Sequence, residues 1–203
     1  MENSKAYSYF IEQLNAVGTK RMDGYYPKLM EEIYDWERDE IEDIVWKQFC
    51  EKEDIDVAAF LPKLKKYQGV EKLKEMLLTS TVPSERSVTL SIILYEINED
   101  KTYLEIIKKN IELEPNKMSN VSKLIYCKPN CKIYELLVEI YINSESDIIR
   151  STAVTGILYN KGIITNPLDL QEIIKNIDLE RKFDSDDLTE RKKIIEKFEK
   201  HQL

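Results

Sequence analysis

Ten residues beginning at Arg86, RSVTLSIILY, return sixty-four positions later as RSTAVTGILY from Arg150, with Arg, Ser, Ile, Leu and Tyr at the same five places. A looser copy stands between them: Tyr95, Tyr126 and Tyr159 are spaced by 31 and 33, and Tyr103 and Tyr134 again by 31. Only five glycines and six prolines interrupt the chain, and its apolar residues recur at three- or four-residue intervals, which is a helical period. A repeat of this length in a helical chain predicts helix pairs, each unable to bury its apolar face alone and therefore stacked on its neighbours. The expected fold is all-α: a right-handed α-solenoid of stacked antiparallel helix pairs, about ten or eleven helices.

The pairs can be placed. Ile92, Ile93, Tyr95 and Ile97, and then Leu104, Ile106, Ile107 and Ile111, form two apolar stretches split by the turn-like Asn98-Glu99-Asp100. Ser84, just before the acidic Glu85, is the expected N-cap of the first. The same order continues over 117–127 with 131–143, and 146–161 with 168–177, where Gly162 and Pro167 bracket the turn. Upstream, 56–67 with 70–79 makes a divergent pair around Gly69. The segments 4–17, 25–36 and 38–53 have a helical pattern out of phase with the repeat. One domain over 1–203 is expected: an irregular N-terminal cap at 1–54, repeats at 55–180, and a capping helix within 181–203 carrying Leu188, Ile194, Ile195 and Phe198.

Within the second copy, Asp147-Ile148-Ile149-Arg150, followed by Ala153 and then Ile157 and Leu158, resembles the pattern of HEAT-like repeats. In that family a small residue lets one helix approach the next, and the Asp and Arg stand near the helix start, where they can bridge adjacent repeats. Arg86 and Thr89 match part of the pattern, while Val121 and Ser122 stand near the Arg position of the middle copy and interrupt any ladder of bridges. The resemblance implies an inter-repeat structural role for Arg86, Asp147 and Arg150, and it speaks to fold more than to function. HEAT-like proteins of bacteria include protein-binding scaffolds, bilin lyases and DNA glycosylases that hold DNA against a basic concave face. The whole chain also looks like the small acidic immunity proteins encoded beside bacterial polymorphic toxins, and its surplus of Ile, Lys, Asn, Glu and Tyr is the bias of an AT-rich genome.

Composition narrows the chemistry. A net charge of −8 disfavours a phosphate-backbone ligand, whose affinity comes from Lys and Arg displacing counterions. Cys50, Cys127 and Cys131 are too few, and odd in number, for a disulfide framework. MENSKAYSYF lacks the basic start and apolar middle of a signal peptide, and no apolar run is long enough to span a bilayer, so a cytoplasmic protein off the membrane is expected. The CKPNC spacing of Cys127 and Cys131 lacks the further Cys or His ligands of a closed zinc site, so no metal is expected. The one histidine, His201, sits in the tail, and the glycines are isolated. Neither a triad nor a phosphate loop can be assembled, and the expectation is a non-enzyme without cofactor.

The most polar feature is MEEIYDWERDEIEDIVW, residues 30–46. Read as one helix, it sets Glu31, Asp35, Asp39 and Asp43 in an i,i+4 row of like charges, each pair costing about 0.2–0.5 kcal/mol. Tyr34, Trp36 and Trp46 are interleaved with the row, and Glu42 lies beside it. One reading is an acidic, aromatic surface for a basic protein partner, such as a toxin domain. The other is a solvated helix face with the aromatics turned into the core. A nucleic-acid enzyme of the glycosylase kind would draw instead on the local run Lys63, Lys65, Lys66, Lys72 and Lys74, and a general scaffold would need neither. The best-supported expectation is an immunity or antitoxin-type binder, with its oligomeric state open.

Overall fold

The computed structural model describes residues 2–16, 25, 28–114 and 117–203. All regular structure among them is helical, with no strand. The chain divides into two compact units, Met1–Ser80 and Thr81–Leu203. No shift of composition marks this boundary, because the two flanking helices are joined only by the short stretch 80–84.

The first unit holds α1 (Lys5–Leu14), α2 (Leu29–Glu32), α3 (Asp35–Lys52), a 3-10 segment (Ile55–Lys63) and α4 (Gly69–Thr79). The expected helix 25–36 is broken, because Ile33 and Tyr34 are extended, with φ/ψ of −73/151° and −73/153°. α3 buries Ile41, Val45 and Phe49, spaced by four residues along one face. It stops at Glu53, which takes a left-handed φ of 54° so that the next amide, that of Asp54, can donate to the Gln48 carbonyl at 3.1 Å. The 3-10 segment buries Val57, Ala58, Phe60 and Leu61 and contains Pro62, which cannot donate a backbone bond. Phe10 of α1 meets Phe60 edge-on, ring centroids 6.2 Å apart. Gly69 is required where it stands: a Cβ there would lie 1.9 Å from the Leu61 carbonyl oxygen.

The second unit holds α5 (Glu85–Asn98), α6 (Lys101–Leu113), α7 (Met118–Leu124), α8 (Cys131–Asn143), α9 (Asp147–Asn160), α10 (Leu170–Lys175), α11 (Ile177–Glu180), a 3-10 turn (Arg181–Phe183) and α12 (Leu188–Glu199). α5 packs on α6 and α7, α7 on α9, α9 on α8, and α8 on α12. The first helices of successive pairs, α5, α7 and α9, thus neighbour one another, and Lys108 to Glu139 at 2.7 Å joins the second helices α6 and α8. A cluster of buried side chains runs from Tyr95 to Phe198, and α5 buries Val88, Leu90 and Leu94 besides. Tyr141, wholly buried, donates its hydroxyl to the Phe183 carbonyl at 2.6 Å and ties α8 to the turn before α12.

Two helix starts in this unit are held by asparagines on neighbouring elements. Ser84 caps α5 as expected, accepting from the Ser87 amide at 3.1 Å, while its own amide donates to Asn110 Oδ1 at 2.8 Å. At α8 the arrangement recurs: Asn130 caps the helix and its amide donates to Asn160 Oδ1 at 3.0 Å. In both cases the asparagine's Nδ2 donates four residues back along its own helix, to Ile106 and to Gly156. Gly162 ends α9 with φ 69°, again as its place in the turn predicts.

The two copies of the ten-residue echo form helices of equal length, 14 residues each, but they do not bury the same face. Ser87 is buried and Ser151 exposed; Arg86 is half-buried and Arg150 buried; Tyr95 is buried and Tyr159 half-buried. Of the five identities, only Leu94 and Leu158 are buried in both copies. α9 is turned so that Gly156 faces Leu137 and Ile125, whose methyl groups would lie 2.8 and 2.9 Å from a Cβ there. The identities therefore record similar helices with different neighbours.

Candidate functional site, the aromatic and acidic surface of α2 and α3

The start of α3 is built on two buried glutamates. Glu37 accepts from the Ser4 amide through Oε1 at 2.7 Å and from the Tyr34 amide through Oε2 at 2.8 Å, so one carboxylate caps α3 and anchors α1. Burial alone would raise its pKa, but the hydrogen bonds from Ser4 and Tyr34 together outweigh it and hold the carboxyl below the usual glutamate value. Glu42 accepts the Lys65 and Lys66 amides through Oε2, at 3.0 and 2.7 Å, and lies 3.5 Å from Arg38 through Oε1. Arg38 in turn donates to the Met30 carbonyl at 2.7 Å. Glu42, counted with the surface in the sequence reading, is an interior tether for the turn between the 3-10 segment and α4. Both glutamates lie in phase with the apolar stripe, Glu37 four residues before Ile41 and Glu42 three before Val45, and that phase is the signal that could have found them.

The acidic row is shortened at both ends. Glu31 lies on α2, beyond the break at Ile33, and pairs with Lys63 at 2.9 Å. Asp43 accepts from Lys66 at 2.5 Å and from the Tyr67 hydroxyl at 2.6 Å, and these bonds, Lys66 first, hold its pKa below the ordinary aspartate value. Trp46 stacks on Tyr67, centroids 4.5 Å apart and planes within 5°, so it packs against the turn and is only half-buried. The basic run meets the same fate: Lys72 pairs with Glu75 and Lys74 with Glu71, each at 2.9 Å. The two charged runs that suggested opposite ligands meet at Lys63–Glu31 and Lys66–Asp43, and Lys72 and Lys74 pair within α4.

What stays open is the helix start. Tyr34 and Trp36 are 51% and 48% exposed, with ring centroids 5.9 Å apart. Asp35 and Asp39 are exposed on the same turns and carry no ion pair among the described residues. Exposed Glu40 accepts the Tyr7 hydroxyl, at 3.1 Å. The site is a pair of half-open rings with exposed carboxylates at its rim.

The residues read as inter-repeat bridges are placed differently from one another. Arg150 is buried, and its guanidinium donates to Asp147 of its own helix, to Asp186 and to the carbonyls of Ser144 and Glu145. It ties the α8–α9 turn to the segment before α12. Arg86 is half-buried on α5. Cys127 is buried, which pushes its thiol up to about 12, while Cys131 is exposed. No helix among the described residues is long and apolar enough to cross a membrane.

Compared with protein-family models, with curated proteins and with solved structures, the chain finds no match.

Proposed function

We propose that this chain is a non-catalytic protein-binding helical protein of HEAT-like type, acting as an immunity or antitoxin-type binder that masks a basic toxic enzyme. The observation that carries this reading is the exposed Tyr34–Trp36 pair beside exposed Asp35 and Asp39. Large rings left half in water at a helix start cost solvation that a partner's surface would recover, and aromatic anchors supply most of the energy at such interfaces. Carboxylates around them would steer a basic partner into place. The neighbour order α5, α7, α9 supports the HEAT-like reading of the second unit. The glycosylase alternative loses its support, because the lysine run it needed is mostly paired with acids.

The test is co-expression with the product of the adjacent gene, followed by a binding measurement on the purified pair. Protection and a complex that weakens with salt are expected. Trp36→Ala should weaken the complex about 30-fold or more, the scale of an interfacial aromatic hot spot. Absence of protection together with absence of a complex sinks the proposal.

A further inference from the structure

The two ends of α7 are held very differently. At the C-terminal end, Lys123 Nζ donates to Glu85 Oε1 and to Thr89 Oγ1 of α5, each at 2.7 Å. Just beyond, the Lys128 amide donates to Glu96 Oε1 of α5 at 3.1 Å. Ile125 reaches α9 at Gly156, where a Cβ would come within 2.9 Å of its methyl group. The N-terminal end lacks such ties. Lys117 caps it with no side-chain bond, whereas Ser84, Asp100 and Asn130 cap α5, α6 and α8 through their side chains. Among the described residues, the bonds of this end outside the helical ladder are local: Lys117 to Glu114, Asn120 to Lys117 and Ser122 to Ser119.

Asn120 lies in this loosely tied half. It is wholly buried, and neither its Oδ1 nor its Nδ2 has a partner among the described residues. Water would satisfy both atoms, so an opening that wets Asn120 recovers what its burial costs. A helix of seven residues is too short to hold itself together, which leaves the burial of Val121 and Leu124 to keep it closed. α7 also packs between α5 and α9, so lifting its first turn uncovers apolar surface without unfolding either neighbour. We propose that α7 is a flap in the second unit, hinged over Lys123–Ile125, whose first turn lifts to bring Asn120 into water and open a cleft between α5 and α9.

The test is amide hydrogen exchange on the full chain, followed by NMR in rising low concentrations of denaturant. The amides of Ser122, Lys123 and Leu124 have their helical acceptors at 118–120, so they report the lifting turn. They should exchange about tenfold or more faster than the middle amides of α5 and α9, with little dependence on denaturant, the mark of a local opening. Asn120→Leu should slow them about tenfold, because leucine gains nothing from water. Fraying that leaves position 120 enclosed would not respond to that substitution. Exchange as slow as in the flanking helices, a denaturant dependence equal to theirs, or rates unchanged by Asn120→Leu would each overturn the proposal.

Discussion

Glu37 and Glu42 show how a residue's neighbours reverse the meaning of its charge. In a run of acids each reads as solvated, yet both are buried, because each finds backbone amides that need an acceptor. Glu42→Ala would strand the Lys65 and Lys66 amides and should cost about 2–3 kcal/mol in denaturant unfolding. Glu37 carries a pH dependence whose sign follows from its depressed folded-state pKa. Its stabilisation is fully present above the ordinary value of 4.5 and is lost as pH falls through the lower folded value. Unfolding midpoints followed by circular dichroism should therefore drop between about pH 5 and 3, and Glu37→Gln should flatten that drop. Asn120 is the opposite case, a wholly buried amide on α7 with no hydrogen-bond partner for either polar atom among the described residues. Asn120→Leu should raise stability by about 1–2 kcal/mol, because it removes unpaired polar atoms from an apolar site.

Helices and turns were the most legible features. The hairpin over α5 and α6, the cap at Ser84, the turn at Gly162 and the closing helix with Ile194, Ile195 and Phe198 all follow from local spacing. Their boundaries depend on interactions within a few residues, which a sequence displays directly. Where a boundary depends on a distant group, the reading fails. The break at Ile33–Tyr34 comes with Glu37 reaching back to its cap and across to Ser4, and the single helix expected over 168–177 gives way to α10 and α11. Gly69 is a further test of close packing: Gly69→Ala drives a methyl into the Leu61 carbonyl and should cost about 1–3 kcal/mol or more by thermal unfolding. At the end of α5, Glu99 holds a left-handed φ of 55° that suits glycine better, so Glu99→Gly should stabilise by about 0.5–1 kcal/mol.

For the whole chain, the division at Ser80 and Thr81 and the buried cluster from Tyr95 to Phe198 make a direct prediction. A fragment spanning 81–203 should retain its helicity and unfold cooperatively by circular dichroism, since the buried cluster from Tyr95 to Phe198 lies wholly within those residues. The charge balance also belongs to the chain as a whole. The net −8 is not concentrated in an unbroken acidic face, because Lys63 and Lys66 return to pair with Glu31 and Asp43. Reversing Asp39 should therefore slow association with the basic partner proposed above with little change in stability, whereas reversing Asp43 should loosen the turn around Tyr67.

Helical class and the order of the helix pairs are written into residue spacing, because hydrogen bonds in a helix close over four residues and the apolar period must match them. Which residue of a helix faces inward is not written there. The Arg86 and Arg150 copies share five residues and still bury different faces, and the acids of 31–43 divide into tethers, ion pairs and free rim. Those outcomes turn on partners tens of positions away, such as Ser4 for Glu37, Lys66 for Asp43 and Asp186 for Arg150. Burial and charge pairing are properties of what lies across the interface, and folding alone brings those groups together.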